Sequence, residues 1–121
     1  LADRGCVLDL AGTGPLAEVY PAASLKLWGL AHTKYKRDAT VRAQLINDLL
    51  AAAPWLRLAG FADRCQQSDD ALDAVVASLA ARAVALDLAT KPPPQHLTTA
   101  QREGWIALPT KPLSSLAPRH R

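Results

Sequence analysis

Two stretches of the chain repeat apolar residues at helical spacing. Val41, Leu45, Leu49 and Ala52 fall on one face of a helix, and the spacing predicts a helix from Ala39 to about Ala53. Asp38 stands where a capping side chain belongs, and Pro54 closes the run. The stronger pattern is Leu72, Val75, Val76, Leu79, Ala83 and Leu86, a stripe that predicts a helix from Asp69 to about Leu88 with Ser68 as its N-cap. Lys91-Pro92-Pro93-Pro94 ends it and makes a stiff connector. Leu16 to Tyr20 reads as a short strand, and Pro21 can open a helix reaching about Leu30, weakened by Gly29. Ala31 to Arg37 is a polar, basic loop. Trp55 to Leu58 is a brief extended piece or a linker that plugs the core with Trp55, and Gly60 to Gln67 is a turn or short helix. Thr98 or Thr99 can cap a short helix to Glu103, and Gly104 to Pro109 reads as a last strand. Residues 110–121 are rich in Pro and Ser and are expected to form a disordered tail. Gly12-Thr13-Gly14-Pro15 is a turn; it is not a phosphate-binding loop, since Pro15 and a strand follow where a helix should open.

Composition narrows the frame. The chain has 121 residues and no methionine, so it reads as a processed product, an excerpt, or a chain with a misplaced start. That length allows one small domain, and a 50% apolar content is enough to bury a core. No apolar run approaches the ~18 residues of a membrane span, and residues 1–15 lack the basic start and apolar stretch of a signal peptide. The two cysteines form no metal-type or redox motif, which fits a reduced, cytoplasmic setting.

A net charge of +3 is modest, but it is unevenly spread. Lys34, Lys36, Arg37 and Arg42 face only Asp38 between residues 32 and 42. Asp63, Asp69, Asp70 and Asp73 face only Arg64 between residues 60 and 73. Such opposed patches suit a site with metal on one wall and phosphate on the other, and equally suit two solvated faces.

The acids are the candidate chemistry. Glu18 lies in a short apolar strand, where burying a carboxylate is costly unless it is paired or binds metal; equally, it can be an exposed acid on a strand edge. Asp70 and Asp73 are three apart, on neighbouring positions of one helix face. The helix macrodipole accounts for Asp69 and Asp70 in the first turn and less well for Asp73, which borders the apolar stripe. A strand-borne Glu and a helical Asp-x-x-Asp can converge on Mg²⁺ or Mn²⁺, hard cations that take carboxylate oxygens and substrate phosphates. Related two-metal sites need a further acid from a central strand, for which Asp9 is a weak candidate.

Read in order, the segments Glu18-Val19-Tyr20-Pro21-Ala22-Ala23, Leu25-Lys26-Leu27-Trp28-Gly29-Leu30, Tyr35-Lys36, Pro54-Trp55-Leu56, Ser68-Asp69-Asp70-Ala71-Leu72-Asp73-Ala74 and Arg102-Glu103-Gly104-Trp105-Ile106-Ala107-Leu108-Pro109 resemble the domain-of-unknown-function family 429, predicted ribonuclease H-like nucleases. The resemblance spans about residues 12–109. The Asp70-x-x-Asp73-Ala helix is also similar to the last acidic helix of bacterial Holliday-junction resolvases. The resemblance implies an α/β chain with a partial ribonuclease H-like fold, helix-rich with a few short strands. It implies Glu18, Asp70 and Asp73 as catalytic, metal-binding acids for Mg²⁺ or Mn²⁺. Lys36 is then a phosphate contact, with His32, Lys34 and Arg37 around it as nucleic-acid-binding candidates.

Residues 1–11 do not reproduce the family's opening strands or its first catalytic Asp. The expectation is therefore a lead-in over 1–11 from a missing N-terminal half, a C-terminal half-domain over 12–109, and the tail. Whether such a chain is itself an enzyme is left open by that departure. The leading function is a metal-dependent nuclease acting on a nucleic acid, completed by the missing half or a second chain. The alternative is a non-catalytic module acting through protein interaction or strand pairing. A third reading is a nucleic-acid-binding helical module using Lys34, Lys36, Arg37 and Arg42. Only six aromatic residues are present to support stacking on bases.

Overall fold

The computed structural model describes residues 17–118, so the sequence readings for residues 1–16, including Val7–Leu10, the Gly12–Pro15 turn and Asp9, lie outside the described residues. The described residues are helix-rich, with two short strands among them. Strand β1 (Glu18–Val19) leads into α1 (Pro21–Leu27), α2 (Ala39–Ala52), α3 (Phe61–Gln67), α4 (Asp69–Ala85), α5 (Leu97–Glu103) and β2 (Ile106–Ala107). β1 and β2 pair in parallel, Glu18 opposite Ile106 and Val19 opposite Ala107. The register sorts the sheet faces, because successive side chains of a strand point to opposite sides. Ala107 is buried and Val19 half-buried on the inner face, while Glu18 and Ile106 are exposed on the outer one.

Local chemistry sets the helix ends. Pro21 occupies the first turn of α1, where its missing N–H costs nothing. The helix stops at Leu27, short of the predicted Leu30, because the chain reverses at Gly29 with φ +76°, a conformation that favours glycine. Asp38 caps α2, its Oδ1 accepting from the Thr40 and Val41 amides. Ser68 caps α4, its hydroxyl accepting from the Ala71 amide. Both caps stand where the sequence placed them. Thr98 and Thr99 do not cap α5: that helix begins at Leu97, and both threonines lie inside it, exposed.

The core lies between α1, α2, α3 and α4. Leu25, Leu45, Ile46, Cys65, Leu72 and Val76 form one part, closed by the ring of Tyr35. Leu49, Ala53, Leu79 and Ala83 form the other, with Leu113 and Leu116. The last two come from the segment expected to be a disordered tail. Instead a 3₁₀ turn over Leu113–Leu116 packs both leucines inward. The Leu116 carbonyl accepts from Arg82 Nε, and the Lys111 carbonyl accepts from the Trp28 indole N–H at 3.2 Å. Two leucines three apart present one apolar face per turn, and that outweighs the Pro/Ser composition around them.

The α2 stripe keeps the predicted Leu45 and Leu49, with Val41 half-buried against the core, and takes in Arg42 and Ile46 in place of Ala52. Its buried residues are Arg42, Leu45, Ile46 and Leu49, and Ala52 is exposed. On α4 the buried line is Leu72, Val76, Leu79, Ala80 and Ala83, while Leu86, beyond the helix end, is 43% exposed. Leu72→Ala should therefore cost about 2–5 kcal/mol and Leu86→Ala less than about 1 kcal/mol. Urea unfolding followed by circular dichroism measures both.

Candidate functional site

The oppositely charged patches meet at Asp73. This residue sits in the second turn of α4, its side chain 20% exposed. Its Oδ1 accepts a hydrogen bond from the Tyr35 hydroxyl at 2.6 Å, and its Oδ2 lies 3.2 Å from the Lys36 ammonium. Consecutive residues of the 31–38 loop thus hold the two oxygens of one carboxylate. The Tyr35 ring is buried in the core, whereas the Lys36 side chain is 58% exposed.

The loop is shaped for this. Lys34 adopts φ +67°, and its carbonyl accepts from the Arg37 and Asp38 amides, which turns the chain back toward α2. Arg42, in the second turn of α2, sends its guanidinium under the loop. Nη1 donates to the carbonyls of Tyr35 at 2.9 Å and Lys36 at 3.3 Å, and Nε donates to the Gln66 carbonyl at 2.8 Å. Arg42 is therefore largely buried, with Nη1 and Nε bound to backbone carbonyls, and the exposed surface role given it by the nucleic-acid-module reading is corrected. Sequence reasoning missed it, although Arg42 lies three residues before Leu45 on the buried stripe; tracing that stripe one turn back would have found it. The sequence likewise marks Tyr35 only as a loop residue.

The other candidates are spread around this point. Asp70 is exposed in the first turn of α4, and Asp69 beside it is half-buried. Lys34 and Arg37 are exposed on the loop, with no ion pair to a carboxylate among the described residues. His32 Nδ1 lies 3.4 Å from the Leu30 carbonyl, a long contact that tethers the ring back to its own loop. Glu18 is exposed on the outer face of β1, a strand that packs against α4. Its carboxylate lies over Gly104, where a Cβ would come within 3.1 Å of Oε1. Gly104 also has φ +100°, so glycine serves both the backbone turn into β2 and the space beneath Glu18.

The family follows from a match over this region. A family model described as "Protein of unknown function (DUF429)" matches residues 1–97. The chain belongs to that family. The matched stretch takes in β1, the 31–38 loop and all of α4, so Glu18, Tyr35, Lys36, Asp70 and Asp73 are DUF429 positions, while β2 and Gly104 lie beyond it. No curated protein and no solved structure matches this DUF429 chain. No helix among the described residues is long and apolar enough to cross a membrane.

Mg²⁺ or Mn²⁺, the cation expected from the acids, does not fit the described side chains as they stand. Among the described residues, no three His, Cys, Asp or Glu side chains are grouped to hold a metal ion. Asp73 already satisfies both oxygens with Tyr35 and Lys36. Glu18, Asp70 and Asp73 thus share the β1–α4 region without forming a ligand set among themselves, and no catalytic step through a metal is assigned to them.

Electrostatics bind the loop to Asp73 most firmly below alkaline pH. Burial, and then the hydrogen bond to Asp73, push the Tyr35 hydroxyl well above the ordinary phenol range. The same carboxylate, by hydrogen bond and by charge, raises the Lys36 ammonium above its usual value. In both cases the protonated form is the one the fold favours. Their stabilisation is complete below the unfolded values of 10.0 and 10.5 and is lost as pH rises through the higher folded values. Tyr35→Phe should lower stability near neutrality by about 1–3 kcal/mol, the order of a hydrogen bond to a charged acceptor. It should also flatten the decline above about pH 10, where the wild-type phenol ionises in the unfolded chain. Urea midpoints taken across this range for both proteins test the sign.

Proposed function

We propose that this DUF429 chain acts on the phosphodiester backbone of a nucleic acid, as part of a ribonuclease H-like nuclease. Glu18, Asp70 and Asp73 are its acidic residues, and Lys36, with Lys34, Arg37 and His32, its phosphate-facing ones. The observation that carries the reading is the Lys36–Asp73 pair: it brings a half-exposed cation and the acidic start of α4 to one place. A phosphate approaching Lys36 would meet Lys34 and Arg37 on the same loop. Mg²⁺ or Mn²⁺ belongs to this reading as the cofactor, and it would require carboxylates beyond those the described residues bring together. A cytoplasmic setting goes with it. The test is cleavage of labelled single- and double-stranded DNA and RNA in Mn²⁺ by this chain. The expected result is cleavage that falls at least ~100-fold in Glu18→Gln and Asp70→Asn. No cleavage of any of the four substrates would remove the proposal.

The outer face of the sheet favours a second reading, a module that pairs through its strands. Among the described residues the sheet has two strands; parallel strands usually lie within larger, covered sheets, and a two-stranded sheet is marginal alone. Here Ile106 is 46% exposed and Tyr20, just after β1, is 52% exposed. On this reading the chain self-associates or takes a strand from a partner. Sedimentation should show a concentration-dependent dimer that Ile106→Lys abolishes; a monomer at every concentration, with no captured strand, counts against it.

A further inference from the structure

The buried guanidinium of Arg42 is the least expected group near the candidate site. A cation taken out of water must recover hydrogen bonds, and Arg42 finds those of Nη1 and Nε on backbone carbonyls, not on a carboxylate. Two of the three carbonyls belong to Tyr35 and Lys36, the residues whose side chains hold Asp73. The third belongs to Gln66, near the end of α3. One side chain from α2 therefore fixes two successive peptide units of the loop against the neighbouring helix.

That placement bears on Lys36. An exposed ion pair is ordinarily weak, because two side chains must be ordered in solvent for a screened attraction. Lys36 is more than half exposed, yet its backbone is held from beneath by Arg42 and its neighbour Tyr35 is locked in the core. Only the lysine stem remains to be ordered. The guanidinium geometry is needed for this, since several donors in a planar fork reach carbonyls in different directions. A lysine ammonium at position 42 is a single point charge and cannot span the same three oxygens.

We infer that Arg42 is a positioning residue of the site: it sets the Tyr35–Lys36 backbone so that the Lys36 ammonium stands on Asp73, ready for an anionic ligand. That the ligand is a nucleic-acid phosphate rests on the function proposed above; the positioning of Lys36 does not.

Chemical reactivity of Lys36 reads this directly and needs no ligand. In trace acetylation of the folded chain followed by mass spectrometry, the paired Lys36 amine should react more slowly than the neighbouring Lys34. Arg42→Lys should raise the Lys36 rate about threefold or more, and Asp73→Asn should do the same. In the double variant the rate should rise no further than in either single one, because both act through one contact. Arg42→Gln, which keeps the stem and one donor group, serves as the second variant, and a native far-UV spectrum is required of whichever is used. An unchanged Lys36 rate in a folded Arg42 variant overturns the inference, as do effects that multiply in the double variant. Failure of both Arg42 variants to fold overturns it too, since Arg42 would then belong to the fold and not to the site.

Binding of a single-stranded oligonucleotide to the same proteins, measured against salt concentration, separates the two proposals. Protection of Lys36 without any oligonucleotide binding keeps the positioning and removes its assignment to a nucleic-acid phosphate. Binding that weakens in Lys36→Met, with no further loss when an Arg42 variant is added, supports both.

Discussion

The burial of α4 is the constraint on which the rest of the described chain depends. Its line Leu72, Val76, Leu79, Ala80 and Ala83 faces inward along the helix. Around it α1, α3 and β1 find their places, and near its far end the Leu113–Leu116 turn closes the core. A helix rolled about its axis by one residue turns its apolar line by about 100°, so this packing leaves α4 little rotational freedom. Asp73 lies next to Leu72 and is fixed with it. The helix thereby sets the direction in which its acids emerge, and the loop must come to Asp73.

That division of labour explains why some features were legible in the sequence and others were not. The caps were legible, because Asp38 and Ser68 act within three residues of themselves and need no knowledge of the rest of the chain. So was the apolar line of α4, where period and burial coincide. The α2 line was legible at Leu45 and Leu49 but not at Arg42, because Arg42 is charged and a pattern search places charge outside. Its burial depends on carbonyls of residues 35, 36 and 66, and the last is 24 positions away. The Leu113–Leu116 turn was hidden for a similar reason. Its composition is that of a tail, and only the cleft left between α2 and α4 makes its two leucines a core element.

The candidate site shows the same split. The charge asymmetry between residues 32–42 and 60–73 was visible in the sequence, and the structure brings the two segments into contact at Lys36 and Asp73. What could not be read was the partnership itself. Residue types at suitable spacing suggested three acids awaiting a cation. The structure instead gives Asp73 a phenol and an ammonium from its own chain. In the sequence Gly104 is only the opening of the last strand and its motif, and its relation to Glu18 depends on the parallel pairing of strands 88 residues apart in sequence.

The two partners of Asp73 are not equivalent. The Tyr35 ring is one of the largest fully buried side chains in the core, so moving it would open a cavity and cost several kcal/mol. Its hydroxyl is a fixed neighbour of Oδ1. Lys36 reaches Oδ2 through a flexible stem that is mostly in water, and solvent and salt screen such a pair. Salt or a competing ion changes that second contact long before it disturbs the first. Asp73 is therefore held in place by the tyrosine and neutralised by the lysine, and only the neutralising partner can exchange. An anion arriving at the loop can take the ammonium without dismantling the core, and a cation arriving at Asp73 must first displace it. The fold thus confines any response to ligand at this point to one side chain, and it does so by burying an arginine beneath the backbone of that side chain.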